Sequence, residues 1–244
     1  MAEDNPDRTD PRRDAHDSGA GIPAGLLVAL IVALLALPGI GARYHLSGDF
    51  SVIHCLFILF FSLNLLICYW EMCLFFRWDR VRERAEYWSR RQRETGRSSA
   101  VEFLTSRVPL RQALSPTVWA DSWAAYSPID SSYTDRSTLG FTVDIGNGFV
   151  TPVPTLLLYA AYSVGFLPPV VAGILGVALF WQWAYVSSLY WVSFFVAGRH
   201  AHVSRRELYI YVGAVNAVWV LFGVFGLYVS VRLILDGNYG ALGF

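Results

Sequence analysis

The chain contains no lysine, so all 19 basic residues among its 244 are arginines. That absence points to a GC-rich genome and leans the source toward bacteria. Charge of either sign is scarce: charged residues make up 16% of the sequence, and acids and bases cancel to a formal net charge of zero. The three cysteines, Cys55, Cys68 and Cys73, fall in one apolar run, where a helix would point them in different directions from one axis. Neither a disulfide framework nor metal-finger spacing follows from that arrangement. The sequence has no phosphate-binding loop, no metal-protease spacing, no nucleophile elbow and no internal repeat. No metal and no cofactor is expected.

Apolar surface is what the chain has in excess, with 55% hydrophobic and 16% aromatic residues. This composition belongs to membrane proteins. Five apolar runs, at 22–42, 50–76, 149–166, 170–197 and 208–233, each approach or exceed the ~17–25 residues a helix needs to cross hydrocarbon. The predicted fold is all-α, a polytopic integral membrane protein built as a five-transmembrane-helix bundle over 22–244. Residues 1–21, with Asp4, Asp7, Asp10, Asp14 and Asp17 and no apolar periodicity, read as a disordered acidic tail. A cleaved signal peptide fits less well, because the flank is acidic and the apolar run is long.

The arginines sort to one side. Eight lie between Arg77 and Arg97, with others later in the same 77–148 segment, three precede the first run, and Arg199, Arg205 and Arg206 separate the fourth from the fifth; only Arg43 and Arg232 fall opposite. By the positive-inside tendency the N-terminus is cytoplasmic, as are an Arg-rich helix and loop at 77–148. The expected location is multi-pass, in the plasma or inner membrane of a bacterium or the endoplasmic reticulum of a eukaryote. The second run is expected to continue unbroken into Arg77–Arg97 as a solvated, headgroup-facing helix supported by pairs such as Glu86 and Arg90. Acids interleaved with the arginines and the adjacent membrane favour lipid over nucleic acid as their neighbour.

Between Val108 and Gly148 the sequence reads as a structured loop, with a helix start at Ser127-Pro128 and Asp130. Asp144-Ile145-Gly146-Asn147-Gly148 reads as a turn or a loosened helix entry, and Pro152 and Pro154 should kink or delay the third span. Leu167-Pro168-Pro169 makes a short hairpin between antiparallel third and fourth spans.

Polar side chains inside a span are costly and mark functional candidates. His54, Asn64, Cys68 and Glu71 fall within roughly a 100° arc of the second span, although His54 and Glu71 stand about 25 Å apart along it. Glu71 reads either as part of a site or as an interfacial carboxylate paired with Arg77 or Arg80. Gln182 in span four and Asn216 in span five, near Trp183, Tyr190 and Trp219, read either as interhelical glue or as the lining of a ligand cavity. Gly213, Gly223 and Gly226 suit close helix packing.

Several short motifs resemble one family. They are Trp123-x-x-Tyr126-x-x-x-Asp130-x-x-Tyr133 followed by Phe141-Thr142-Val143, Gln182 with Leu189-Tyr190, Asn216-Ala217-Val218-Trp219 with Gly223, and Ile53-His54. Together they are similar to the EXPERA-type membrane proteins, the family of the emopamil-binding sterol isomerases. The resemblance implies an intramembrane cavity for a sterol- or terpenoid-like lipid and proton transfer that shifts a double bond. It implies His54 in a proton relay, Asn216 orienting an acid or the substrate, and Trp219 offering a π face to a carbocation. The family's two glutamates are replaced by Ile58 and Gly146, which leaves Asp144 and Glu71 as relocated acids. Gln182, Trp183, Tyr190, Trp219, Asn147, Trp123 and Tyr126 are the candidate ligand contacts. Two other readings stand beside this one: a non-catalytic lipid binder or scaffold, and a membrane terpene cyclase, since Trp70-Glu71 resembles a Trp-Glu pair of small meroterpenoid cyclases. No protein partner is specified.

Overall fold

The computed structural model of the chain describes residues 21–243 and is helical nearly throughout. The acidic tail expected at 1–21 lies, apart from Gly21, outside the described residues. Four helices are long and apolar enough to cross a membrane: α1 (Ala24–Ser47), α2 (Val52–Phe76), α8 (Pro169–Val196) and the continuous stretch Arg205–Asp236. That last stretch comprises α9 (Arg205–Glu207), a π-helical segment (Leu208–Val215) and α10 (Asn216–Asp236). The remaining elements are α3 (Trp78–Thr95), α4 (Ser99–Thr105), α5 (Pro116–Tyr126), α6 (Leu139–Val150) and the shorter apolar α7 (Pro152–Val164). A two-residue strand pair, β1 (Ile22–Pro23) with β2 (Arg107–Val108), ties the entry of α1 to the segment after α4.

The third apolar run, expected at 149–166, is therefore two helices. Thr151 joins them, and Pro152 opens α7 at the first position, where its missing N–H costs nothing. The amides of Thr151 and Thr155 donate to the carbonyls of Asn147 and Thr151, so the hydrogen-bond ladder carries across the joint. Of the two readings of 144–148, a turn or a loosened helix entry, the structure takes the helical one, since the stretch lies inside α6. Its Gly148 is required by packing instead, because a Cβ there would sit 2.8 Å from the Glu71 Cβ and 3.1 Å from the Cys68 carbonyl.

Three further expectations are corrected. The Arg-rich helix does not continue α2 unbroken, since Arg77 leaves helical geometry (φ −121°, ψ 25°) and α3 sets off anew. Nor is α3 solvated on all sides. It buries Val81, Ala85 and Trp88, while Arg84 grips Asp121 of α5 through two bonds of 2.9 and 3.1 Å. Ser127-Pro128 starts no helix: Ser127 closes α5, and Asp130 instead caps the 3₁₀ turn Ser131–Thr134 by accepting from the Ser132 amide.

Inside the bundle the helices approach through small residues. Gly223 and Gly226 of α10 lie against α8, and a Cβ at Gly226 would meet the Phe180 ring at 2.2 Å, while Gly173 and Gly176 of α8 lie against Ser230 and Ile234. Gly213, by contrast, sits in the π-helical segment, and a Cβ there would meet only the Leu208 carbonyl, at 3.4 Å. At Pro38 of α1 the Tyr159 hydroxyl of α7 enters the ladder, accepting from the Gly39 amide at 2.8 Å and donating to the Leu35 carbonyl at 2.6 Å. A backbone pair disturbed by proline thus regains its partners from a neighbouring helix.

Candidate functional site

The amide and acid face of α2 meets α6 in the bundle interior. Asn147 is the hub: its Nδ2 donates to Glu71 Oε2 at 2.8 Å, and its Oδ1 accepts from Trp183 Nε1 at 3.0 Å and from Thr151 Oγ1 at 2.9 Å. One turn deeper, Asn64 accepts from Trp219 Nε1 at 3.1 Å and sends its Nδ2 toward Thr155 and Cys68, each at 3.4 Å. Glu71 is 3% exposed and Asn64 fully buried, so this chain of hydrogen bonds satisfies polar groups that hydrocarbon would leave stranded. The expected pairing of Glu71 with Arg77 or Arg80 is not made. The carboxyl points into the bundle, toward Asn147, rather than back to the surface.

Beside this network lies a cavity of about 210 Å³ walled by α2, α5, α6, α8 and the π-helical end of α10. Glu71 and Asp144 both line it, together with Asn147, Gln182, Trp183, Asn216 and Trp219. Trp123 and Tyr126 of α5 close its Arg-rich end, and Trp70, Ser122 and Tyr133 complete the polar and aromatic wall. The indole N–H of Trp70 is buried without a hydrogen-bond partner among the described residues.

Three of the wall residues, Trp123, Tyr126 and Asn216, are held by bonds to backbone carbonyls. Trp123 Nε1 donates to the Trp70 carbonyl at 2.8 Å, which fixes α5 across the end of α2. Asn216 Nδ2 donates to the Tyr211 and Val212 carbonyls at 3.2 and 3.1 Å. Those acceptors belong to the π-helical segment, where widened turns leave carbonyls in need of donors. Trp191 Nε1 donates to the Val212 carbonyl as well, at 2.7 Å, and the Tyr126 hydroxyl donates to the Tyr211 backbone carbonyl at 3.3 Å. Asn216 is thus first a cap for a bulged helix, and its donors are spent on backbone.

Asp144 stands in α6, ahead of α7. Burial raises its carboxyl to about 7, opposed by the Tyr133 hydroxyl beside it and aided by the charge of Asp130. Its charge also acts on Glu71 across the cavity. Two carboxyls facing one cavity, one of them held by an amide, form an arrangement able to give a proton at one point and take one at another.

Two expected site residues are elsewhere. His54 is 1% exposed at the opposite end of α2, near the Ser51 cap, and does not line the cavity. The rise of a helix over that many residues, about 25 Å, forbids it from joining Glu71. Tyr190 is also outside the cavity wall. Its hydroxyl donates to Asp130 Oδ2 at 2.7 Å, and Asp130 accepts from Arg199 Nη1 at 2.6 Å, a buried pair that latches the end of α8 to the 3₁₀ turn after α5.

Thr151 and Thr155, both fully buried, were not anticipated as part of the network. Their spacing of four and eight residues from Asn147 is the signal that marks one helical face. Compared with protein-family models, curated proteins and solved structures, the chain matches none.

Proposed function

We propose that the chain is a five-crossing membrane protein of EXPERA-like kind that binds a sterol- or terpenoid-like lipid and moves a proton on one of its double bonds. The observation that carries this reading is the meeting of two carboxyls, Glu71 and Asp144, in a cavity faced by Trp70, Trp183 and Trp219. The fifth crossing is α7 lengthened by the last turn of α6, which brings it to the lower end of the ~17–25 residues that a spanning helix needs. The sidedness of the arginines supports a cytoplasmic N-terminus and a cytoplasmic α3–α5 layer.

A cavity of about 210 Å³ is smaller than the ~300–1,000 Å³ that encloses a drug-sized ligand. A sterol or long terpenoid therefore inserts one end and leaves the rest among lipid tails. The Gln182 amide and the unpaired Trp70 N–H suit an oxygen on the inserted end.

In the proposed reaction the protonated Asp144 carboxyl gives its proton to one alkene carbon. The π electrons form the new C–H bond and the neighbouring carbon becomes cationic. Indole faces stabilise that cation, as aromatic quadrupoles do for any cation within about 6 Å. Glu71 takes a proton from an adjacent carbon, and the released C–H electrons make the shifted double bond. His54 has no part in this scheme, which departs there from the role the family resemblance implied.

Incubation in heavy water with a cyclic terpenoid alkene or a sterol bearing a ring double bond tests the proposal. Deuterium in an isomeric product, lost in Asp144→Asn and in Glu71→Gln, is the expected result. No deuterium transfer to any lipid that copurifies, with binding retained, reduces the protein to a lipid binder. A second reading, cyclisation, is favoured by one observation: Trp70 and Glu71, the pair that resembles the meroterpenoid cyclases, both face the cavity while His54 does not. Isomerisation preserves the number of double bonds and cyclisation lowers it, so the product's mass spectrum after hydrogenation separates the two.

A further inference from the structure

A second opening, of about 710 Å³, lies between α3, α4 and α5 and shares no lining residue with the Glu71 cavity. Its character is different. Two exposed arginines, Arg80 and Arg107, stand on its wall, which Ser115 and Thr117 also line. Arg80 has no ion pair among the described residues, and Arg107 gives a single N–H to the Gly21 carbonyl at 3.0 Å. The wall's one carboxylate, Asp121, is already occupied by Arg84 and by Trp88 Nε1 at 3.2 Å. The cleft is therefore cationic, with unused guanidinium donors.

Its depth is set by the two helices it adjoins. Arg80 stands four residues past Phe76, the exposed aromatic residue that ends α2, in the first turn of α3. Arg107 pairs with Pro23 in the β1–β2 ladder, and the Ala24 amide that opens α1 donates to the Ser106 carbonyl at 2.9 Å. Both cations are thus pinned within about a turn of the points where apolar helices leave the hydrocarbon, which is the level of lipid phosphates.

We propose that this cleft binds the phosphate of an anionic phospholipid headgroup between Arg80 and Arg107. A guanidinium offers two parallel N–H groups to two phosphate oxygens, and hydroxyls such as those of Ser115 and Thr117 donate to the remainder. A soluble phosphate presents the same oxygens, and the experiment separates the two sources.

Protein purified in a neutral detergent is titrated with short-chain phosphatidylglycerol and, separately, with inorganic phosphate, with binding read by native mass spectrometry. Phosphatidylglycerol is expected to be retained, and to bind about fivefold more weakly in each of Arg80→Gln and Arg107→Gln. It should bind unchanged in Arg97→Gln, whose side chain lies outside the cleft. Inorganic phosphate binding with the same dependence on the two cleft arginines supports the site and assigns it to a soluble phosphate compound. Equal weakening in all three variants, or in none, overturns the proposal by showing only diffuse charge or no site. If Arg107→Gln loosens the β1–β2 ladder, seen as a lowered tryptophan-fluorescence melting point, Arg80→Gln alone decides the matter, since its side chain holds no ion pair.

Discussion

Helix α2 carries two buried ionisable side chains, His54 and Glu71, and the bundle surrounds them in opposite ways. Around the His54 end stands a dry aromatic core: Phe57 packs edge-on to Tyr162 at 5.6 Å and to Phe180 at 5.5 Å, and stacks on Phe225 at 5.1 Å. Around the Glu71 end stand Asn147, Thr151, Trp183 and a cavity. One half of the helix is filled by rings and the other by hydrogen bonds around open space. Close packing and the proposed chemistry thus fall at different ends of the same element, because a filled core leaves no room for a ligand.

Substitutions should respect that division. The largest effect is expected at the carboxyls: Asp144→Asn or Glu71→Gln lowers deuterium transfer about 10²–10⁴-fold, the usual contribution of positioned acids and bases, while the melting temperature stays near that of the parent. Wild-type-like transfer in both variants would remove the carboxyls from the mechanism.

Next comes the aromatic half. Phe57→Ala should cost about 3–5 kcal/mol of stability by opening a cavity among close-packed rings, yet leave lipid retention at the Glu71 end intact once the protein is folded. Denaturant melts paired with mass spectrometry of retained lipid make that comparison, and loss of lipid binding without loss of stability would erase the distinction between the halves.

A smaller effect is expected where Tyr159 bridges the α1 ladder. Tyr159→Phe removes one hydroxyl that serves both the Gly39 amide and the Leu35 carbonyl. A loss of about 1–3 kcal/mol follows from leaving such groups unmade. An unchanged unfolding midpoint would show that α1 repairs its own ladder at Pro38.

The pH profile sharpens the chemistry. Asp144 has its carboxyl raised to about 7 by burial, so its proton is held below that value and its stabilising contribution, complete below the unfolded carboxyl's range, is lost as pH rises through about 7. Transfer should therefore fall above about pH 7, and Asp144→Asn should abolish that limb. A limb that persists in the variant belongs to another group. The smallest effect is expected from His54→Ala, which should leave transfer unchanged; a large loss there would reinstate the relay that the family resemblance implied.

How much of this was legible beforehand differs residue by residue. The inward face of α2 could be read from Asn64, Cys68 and Glu71, because helical periodicity places them together whatever surrounds them. Gln182, Asn147 and Asn216 could be singled out because hydrocarbon makes amides expensive, although that rule says where they are unwelcome and not what they meet. His54 shares that face by periodicity, and its separation of about 25 Å along the axis from Glu71 was legible too, so it was the family resemblance that gave it a place in the chemistry. Asp130 was read as a first-turn acid from its neighbours, but its partners Tyr190 and Arg199 come from 60 and 69 residues away. Gly146 and Gly148 looked like breakers, yet Gly148 is small because α6 presses on α2 there.

By itself the sequence determined which long segments are apolar enough to enter a membrane, that the arginines gather between particular segments, and which side chains share a face of α2. These follow from transfer free energies and helical geometry, which add up locally along the chain. Only the tertiary structure decided that Glu71 and Asp144 look into one cavity, that His54 does not, and that Asn216 serves a bulged helix. Those outcomes depend on which helices touch and at what height, quantities set by packing between residues far apart in sequence, where no local spacing carries the information.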